Sequence, residues 1–450
     1  MDLKYFKDKL FSEAKIHGFE SCEVYYSSGS SFSVMVRNGN VEEYKNTESG
    51  GLSFRGVFDG KMGYSYTENP DVSVIPILIE NARQNAEIIE SAEPERLFAG
   101  SGDYMQADSY CKEQKMTPEE KIEMAKKMEA HALGFDKRIK SIIYCMVSNG
   151  ENEIYISNTL GLELSHKSSL ASAFCFLQAE ENGQVKVGGE FFFGKGYDSF
   201  SPETIAKTAA EKALSNLGAK SVPSKKYPIV LDRQTAADFF SCFEGVFHAE
   251  KVQKGFSLLK DKLNTQIANE CITLRDDGVY EKSPGNTPFD SEGVATTNKA
   301  VIENGVLKTY LYNLKSAEKD GAASTGNGFK PSFRSPVGTG STNFYIVPSN
   351  DSLEALFLKM GNGLYINKLS GLHSGANAVS GNFSLSADGF LVEGGKIMHP
   401  VEQITVAGNF FELLKDIIAV GSDLLFCKPG AGGFTGMPSL FIKELSVSGL

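Results

Sequence analysis

The chain has 450 residues, 41% of them hydrophobic, and a formal net charge of −11. This length exceeds what one ordinary hydrophobic core serves, so we expect two or three domains. Most non-specific affinity for DNA comes from electrostatic attraction between basic side chains and phosphates. Because the net charge of this chain is negative, we expect no direct nucleic-acid binding.

The sequence also indicates a cytoplasmic location and no membrane insertion. The first ten residues are charged and amphipathic, without the apolar core of a signal peptide. The most apolar long stretch, 410–420, is interrupted by Glu412, Lys415 and Asp416, which argues against a membrane-spanning helix. Seven cysteines without any CxxC pair are typical of reduced thiols in a cytosolic chain.

Residues 1–90 are predicted to form an N-terminal α+β domain. The clearest hairpin has Asp59-Gly60 at its turn, because this dipeptide tolerates the positive φ angles of a type I′ turn. Hydrophobic periodicity predicts helices at 3–16 and 72–89 and consecutive strands at 21–26, 31–37, 41–45 and 51–58.

A polar linker is predicted at 91–116, followed by a middle α+β domain at 117–220. Thr117-Pro118-Glu119-Glu120 is a strong helix start, with a capping residue, a proline in the first turn and two acids. The predicted elements are helices at 117–132 and 201–217 and strands at 140–147, 152–157, 162–178 and 185–194.

Residues 225–450 are predicted to form one large, glycine-rich, mainly antiparallel β domain. Its hairpins are expected at Asn304-Gly305 and Gly394-Gly395. The other predicted elements are strands at 227–231 and 439–447 and helices at 234–249 and 409–417. The whole chain is therefore expected to belong to the α+β class. Two smaller α+β segments, with antiparallel sheets, precede this C-terminal domain.

The candidate chemistry begins with a carboxylate and an imidazole. The sequence contains no HExxH, but Glu244 and His248 lie four residues apart near the end of the predicted helix 234–249. Residues at this spacing share one helical face. Taken alone, the pair is more typical of a solvated Glu/His contact than of a metal site.

Three other patterns are weaker. Asp276-Asp277-Gly278 could bind a divalent ion through oxygen ligands, but a turn after a strand at 271–275 explains it as well. Residues 430–433 are glycine-rich without the GK[ST] of a phosphate loop. In the polar loop 321–340, Arg334 could clamp a peptide carboxylate, although a solvated arginine is the simpler interpretation.

Several motifs in one order resemble the TldD/PmbA family along the C-terminal half. They are Gly363-Leu364-Tyr365-Ile366, Ser380-Gly381-Asn382-Phe383-Ser384, the stretch 389–397, Pro400-Val401-Glu402-Gln403-Ile404-Thr405-Val406-Ala407-Gly408-Asn409, and Pro438-Ser439-Leu440-Phe441-Ile442. Near the N-terminus, 51–56 and 59–63 also fit.

The resemblance implies specific roles. In the TldD branch a HExxxH motif and a C-terminal cysteine hold zinc, and the glutamate serves as base. On that pattern Phe243 replaces the first histidine ligand, Glu244 matches the base, His248 matches the second ligand, and Cys427 lies near the cysteine's region. The resemblance therefore favours the PmbA (TldE) branch, with no cofactor in this chain and zinc in a TldD-like partner. A histidine at position 243 is expected to raise zinc affinity if Cys427 is within reach.

Three functions stay open at this point. The chain is either a non-catalytic subunit that forms a heterodimer with a TldD-like chain and acts on unfolded peptides, or an independent homodimeric metallopeptidase using Glu244, His248, Cys427 and a further ligand that the sequence does not identify. The third hypothesis is a protein-binding modulator of DNA gyrase without peptidase activity.

Overall fold

The computed structural model describes residues 3–90, 95–111 and 116–450. In these ranges the α-helices are α1 (Leu3–Ile16), α2 (Ile75–Ile88), α3 (Pro118–Phe135), α4 (Pro202–Ser215), α5 (Arg233–Phe243), α6 (Ala249–Gln253), α7 (Leu314–Asp320), α8 (Leu353–Met360), α9 (Leu372–Gly375) and α10 (Phe410–Asp416). Short 3-10 helices cover Val72–Val74 and Glu244–Phe247.

The strands of the first half are β1 (Ser21–Arg37), β2 (Asn40–Phe58), β3 (Lys61–Thr67), β4 (Ile139–Asn158), β5 (Glu163–Glu181) and β6 (Gln184–Gly194). Those of the second half are β7 (Lys225–Leu231), β8 (Leu274–Asp277), β9 (Asn298–Glu303), β10 (Val306–Leu307), β11 (Gly328–Phe329), β12 (Gly338–Thr339), β13 (Asn343–Ile346), β14 (Gly363–Ser370), β15 (Asn382–Glu393), β16 (Lys396–Asn409), β17 (Ile417–Val420), β18 (Leu425–Pro429), β19 (Phe434–Met437) and β20 (Leu440–Ser448).

One antiparallel sheet joins the two N-terminal segments. Its described strands follow the order β3-β2-β1-β4-β5-β6, and β1 pairs with β4 from Glu23 opposite Asn158 to Val36 opposite Cys145. Helices α1 and α2 cover one end of the sheet, over a core that includes Leu10, while α3 and α4 cover the other end. The middle of the sheet is left without a helix of its own.

The strands of this sheet are longer than predicted. The separate strands at 21–26 and 31–37 are one strand, β1, and those at 41–45 and 51–58 are one strand, β2. Likewise 140–147 and 152–157 both belong to β4. The prediction was wrong because small polar residues interrupt the hydrophobic alternation while the backbone ladder continues, as where Ser31 pairs with Thr47.

Local turn and cap chemistry was predicted correctly. Asp59 and Gly60 have φ angles of 50° and 70° between β2 and β3. At the start of α3, Thr117 accepts from the backbone N–H of Glu120, and the Glu120 carboxylate accepts from the N–H of Thr117. The N-terminus of this helix therefore has the capping box that its sequence indicated.

The third segment, residues 225–450, contains two six-stranded sheets, in the orders β10-β9-β8-β13-β19-β18 and β16-β15-β14-β7-β20-β17. An additional pairing of β16 with β20 closes the second sheet on itself. Parallel pairing occurs between β13 and β19 and between β7 and β14, and the other pairs are antiparallel. The α+β class with a mainly antiparallel C-terminal domain is confirmed.

The described part of the predicted linker, 95–111, has no helix or strand and connects the N-terminal sheet with the third segment. The Tyr104 hydroxyl donates to the Gly293 carbonyl at 2.8 Å, and the Ser109 hydroxyl donates to the Asn286 carbonyl at 2.7 Å. Residues 91–94 and 112–115 of the linker lie outside the described residues. These bonds help to hold loops of the third segment over the bare middle of the sheet.

None of the helices within the described ranges has the length and apolar character that crossing a membrane requires.

Candidate functional site

Glu244 and His248 follow the end of an α-helix and do not lie inside one. The Asp232 carboxylate caps α5 by accepting from the N–H groups of Gln234 and Thr235, and the helix ends at Phe243. The single predicted helix 234–249 is therefore wrong. The chain tightens into a 3-10 turn that places Phe247 against Phe344 in the core, and His248 is extended and bridges to Leu311.

The pair is nevertheless in contact. Nε2 of His248 lies 3.2 Å from Oε1 of Glu244, and the two side chains are 13% and 16% exposed. The same carboxylate oxygen accepts from the N–H of Ser341 at 3.0 Å, and the Ser341 carbonyl accepts from the N–H of Gly432. Glu244 thus holds the chain just before β13, beside the glycine-rich loop 430–433.

Phe243 belongs to the aromatic core. Its side chain is fully buried, and its ring stacks on Phe410 with centroids 4.4 Å apart and an interplanar angle of 3°. Phe239 lies against it with centroids 5.1 Å apart. The position at which the resemblance implies the first zinc ligand is therefore filled by a side chain packed among aromatic rings.

Cys427 is buried in β18, in the same hydrophobic core. Burial raises the pKa of its thiol to about 12, and the negative charges of Asp238 and Asp232 add to the rise. Asp232 caps the beginning of α5 and Asp238 lies in its middle, whereas Glu244 and His248 follow its end. The thiol is therefore protonated at neutral pH, in surroundings unlike those of a metal-binding thiolate.

These donors do not make a three-ligand metal site. Within residues 3–90, 95–111 and 116–450, no group of three His, Cys, Asp or Glu side chains is placed to hold a metal ion. Catalytic zinc takes three protein ligands plus water. Glu244 and His248 are two neighbouring donors that bond to each other, so the donor set does not fit catalytic zinc.

Arg334 lies elsewhere on the surface. Its guanidinium pairs with Glu68 and lies over the Phe333 ring, 5.4 Å from the centroid. It borders a hollow of about 770 Å³ together with Tyr26 and Tyr110. The structure does not bring Arg334 together with Glu244 and His248.

Asp276 and Asp277 lie in strand β8, so the predicted turn is wrong. The fully buried Asp276 carboxylate accepts from Lys299 at 2.7 Å, from the Asn327 amide at 2.9 Å and from the N–H of Thr342 at 2.6 Å. These three donors already satisfy it, which indicates a structural role in joining β8 to its neighbours.

A feature that the sequence did not predict is a cleft between the N-terminal sheet and the third segment. Its volume is about 770 Å³, which is within the range of ligand-binding sites. One wall is the bare middle of the sheet, and the other is formed by the loops 284–291, 329–332 and 429–434. Sheet residues with hydroxyl side chains that line it include Ser27, Ser31, Ser148 and Ser172. The mid-strand serines were the available sequence signal, because they interrupt the hydrophobic alternation where the strands face this cleft.

Family models match the chain in three consecutive parts. They are the PmbA/TldA metallopeptidase domain 1 at residues 22–86, the central domain at 111–217 and the C-terminal domain at 224–449. The three matches follow one another in the order in which these domains are numbered. The chain belongs to the PmbA/TldD family of metallopeptidases.

Individual relatives agree with this. The chain is 28% identical to metalloprotease PmbA of Escherichia coli O157:H7 over 90% of this chain and 88% of that protein. It is 31% identical to a metalloprotease PmbA homolog of Buchnera aphidicola over 73% of this chain and 70% of that protein. A solved structure described as a putative modulator of a DNA gyrase from Thermotoga maritima shares 34% identity, with a TM-score of 0.90 over 99% of this chain and 100% of that chain. TldE from Thermococcus kodakarensis, at 21% identity and a TM-score of 0.90 over 98% of this chain and all of that one, supports the fold.

Proposed function

We propose that this chain is the PmbA/TldE-type subunit of a cytoplasmic metallopeptidase complex, which acts on unfolded peptides together with a TldD-like partner that carries the zinc. The observation that carries the proposal is Phe243. A phenylalanine stacked on Phe410 in the core cannot donate to a metal, and its place in the packing leaves no room for a ligand there.

The surroundings of Glu244 support a non-catalytic role. A general base needs a water molecule whose pKa has been lowered, and in metallopeptidases the metal supplies that effect. Here Oε1 of Glu244 is bonded to His248 and to the N–H of Ser341. The carboxylate therefore positions the chain at Ser341, and we expect it to abstract no proton.

The proposal includes a dimer. Sheets with long strands have edges that must be paired or covered, and we expect the third segment to meet a like domain of a second chain. Such an interface should bury well over about 1,000 Å². Light scattering at micromolar concentration should then report twice the 48.9 kDa chain mass, and a monomer would contradict the dimer.

The decisive experiment measures hydrolysis of an unstructured peptide by this chain alone, by a TldD-like chain with an intact HExxxH from the same genome, and by the mixture. We expect hydrolysis only in the mixture. Glu244→Gln, which keeps an oxygen to accept from the N–H of Ser341, should leave this activity in place, whereas replacing the corresponding glutamate of the partner should abolish it. Hydrolysis by this chain alone, lost with Glu244→Ala and with a chelator, would instead establish a homodimeric peptidase.

A second candidate is favoured by the description of the Thermotoga structure as a putative modulator of a DNA gyrase. A protein contact with gyrase would agree with the acidic balance of this chain, since it requires no DNA binding. A pull-down that recovers gyrase subunits but no TldD-like chain would favour this function over the peptidase subunit.

A further inference from the structure

The cleft contains a buried ammonium group without an ionic partner. Lys330 lines the cleft, and its side chain is only 9% exposed. Nζ donates to the Ser53 hydroxyl at 2.9 Å and lies 5.1 Å from the Tyr25 ring centroid. Among the described residues no carboxylate lies within 4.0 Å of this nitrogen. An ammonium has three donors, so two of them are unused.

The neighbouring carboxylates are already engaged. Arg55 Nε donates to Glu23 Oε1 at 2.7 Å, and Nη1 lies 3.8 Å from Glu292 Oε1. The other oxygens of these two acids accept from the Asn158 amide and from the N–H of Leu314. Nη2 of Arg55 is buried and has no hydrogen-bond partner in the described part of the chain. Within the described residues, neither Nη2 of Arg55 nor Nζ of Lys330 is therefore hydrogen-bonded to a carboxylate.

The backbone around Lys330 is fixed. Its N–H donates to the Ser291 hydroxyl at 3.1 Å, and the N–H of Gly328 donates to Asp290 Oδ2 at 2.7 Å. The residue follows β11, which pairs with β12. An ammonium held in place and desolvated before a ligand arrives loses little entropy on binding, so it suits specific recognition.

We propose that Lys330 is the binding site for a carboxylate of a peptide that lies in the cleft between the N-terminal sheet and the third segment. The two unused donors of Nζ match the two oxygens of a carboxylate. The serine hydroxyls of the sheet wall offer hydrogen bonds to a peptide backbone, and Phe289, Phe329 and Phe434 supply apolar contacts. This site deepens the proposed function by naming acidic or free C-terminal groups as the feature recognised, and it rests on peptides being the substrate.

Burial supports this assignment, because it lowers the pKa of Lys330 to about 7, with the positive charge of Arg55 adding to the effect. A bound carboxylate would restore the protonated form by supplying the missing countercharge.

The test measures binding to the purified chain alone by fluorescence anisotropy, so it requires no partner and no turnover. Three labelled, unstructured peptides share one neutral sequence. The first has a free C-terminal carboxylate, the second is amidated, and the third is amidated with one internal glutamate. We expect at least one of the two carboxylate peptides to bind tenfold or more tightly than the neutral amide. Which of them does so identifies the source of the carboxylate.

Variants attribute the preference to one residue. Lys330→Met should reduce it to less than twofold, and Lys330→Arg should retain part of it. The matched control is Lys121→Met, because Lys121 is also 9% exposed and lies 4.7 Å from the centroid of the Phe32 ring, but does not line the cleft. Circular dichroism establishes that each variant is folded.

The proposal is overturned if the wild-type chain binds all three peptides equally or binds none, or if Lys330→Met keeps the preference. Failure of the proposed subunit function is a separate result, because it appears as absent hydrolysis in the mixture with the TldD-like chain. Carboxylate preference with no hydrolysis would leave the cleft assignment in place.

Discussion

Replacing Phe243 with histidine places an imidazole where the resemblance to the TldD branch implies the first zinc ligand, yet we expect it to destabilise the chain without creating a zinc site. The ring at position 243 is directed into the core, against Phe410 and Phe239, while the Glu244 carboxylate contacts His248 and Ser341. Cys427, which would have to complete the ligand set, is surrounded by apolar side chains and the charges of Asp238 and Asp232.

The magnitude follows from what the imidazole would lose. The stacked Phe243–Phe410 pair contributes about 0.5 to 1.5 kcal/mol beyond its buried area. Each ring nitrogen that is buried without a partner costs about 1 to 3 kcal/mol. We therefore expect Phe243→His to lower the free energy of unfolding by about 2 to 4 kcal/mol, of which partial relaxation would recover some. For a domain of this size, this corresponds to a drop in Tm of roughly 5 to 15 °C.

The assay is thermal unfolding of the wild type and the variant, each with and without excess zinc. If a three-ligand site formed, zinc at one hundred times its Kd would stabilise the native state by about 2.7 kcal/mol. This gain is large enough to resolve. Phe243→Leu is the matched control, since it keeps the position apolar and should cost only about 1 to 2 kcal/mol. Because the chain has several domains, the comparison uses the transition that reports on the third segment.

A zinc-dependent rise in Tm for Phe243→His that is absent from the wild type, and is lost again with His248→Ala, would refute the reasoning. It would mean that position 243 can reach His248 and a further donor, and that the motif lacks only one residue.

Three further predictions follow from the same structure. Metal analysis of the untreated protein should find zinc well below one ion per chain, because the described donors form no three-ligand set, and stoichiometric zinc would contradict this. A gel shift at physiological salt should show only weak DNA binding, since the net charge is −11, and submicromolar affinity would be inconsistent with it. The pKa of Lys330, lowered to about 7 by burial and by Arg55, means that between about pH 7 and 10.5 the unfolded chain holds a proton that the folded chain has released. Lys330 should therefore contribute a rise in the free energy of unfolding of on the order of 4 kcal/mol across this window, and the pH dependence of Lys330→Met should lack this contribution. Urea midpoints at about pH 6.5 and 10 test this, and an equal pH dependence in both proteins would contradict it.

The parts of the fold that the sequence predicted are those whose causes are local. Asp59-Gly60 fixes a hairpin through its own φ angles, and Thr117 with Glu120 fixes a helix start through its own hydrogen bonds. The long strands were not predicted, because their continuity depends on partners far away in sequence. Ser31, for example, pairs with Thr47 on one side and Gly150 on the other.

The candidate site shows the same limit. The spacing of Glu244 and His248 correctly predicted that they lie close together, but the reason was wrong, because the helix ends before them. Tertiary contacts position the two side chains. The backbone of Leu311 bridges to His248, and the N–H of Ser341 donates to Glu244. The cleft and Lys330 were missed because the cleft forms between segments more than one hundred residues apart, and Lys330 stands in the sequence as an ordinary lysine in a polar loop.

Glu244 and the cleft are connected through the β11–β12 hairpin. Lys330 lies in the loop between β11 and β12, and β12 leads directly to Ser341, whose N–H donates to Glu244. The N–H of Gly432 then donates to the Ser341 carbonyl, which brings in the loop that forms another part of the cleft wall. A carboxylate at position 244 therefore has a structural role in this chain without any metal, because it accepts a hydrogen bond from the N–H of Ser341 at the end of the hairpin that presents Lys330. In the proposed subunit role Glu244 binds no metal, and its contacts with Ser341 and His248 give a physical reason for a glutamate beside Phe243.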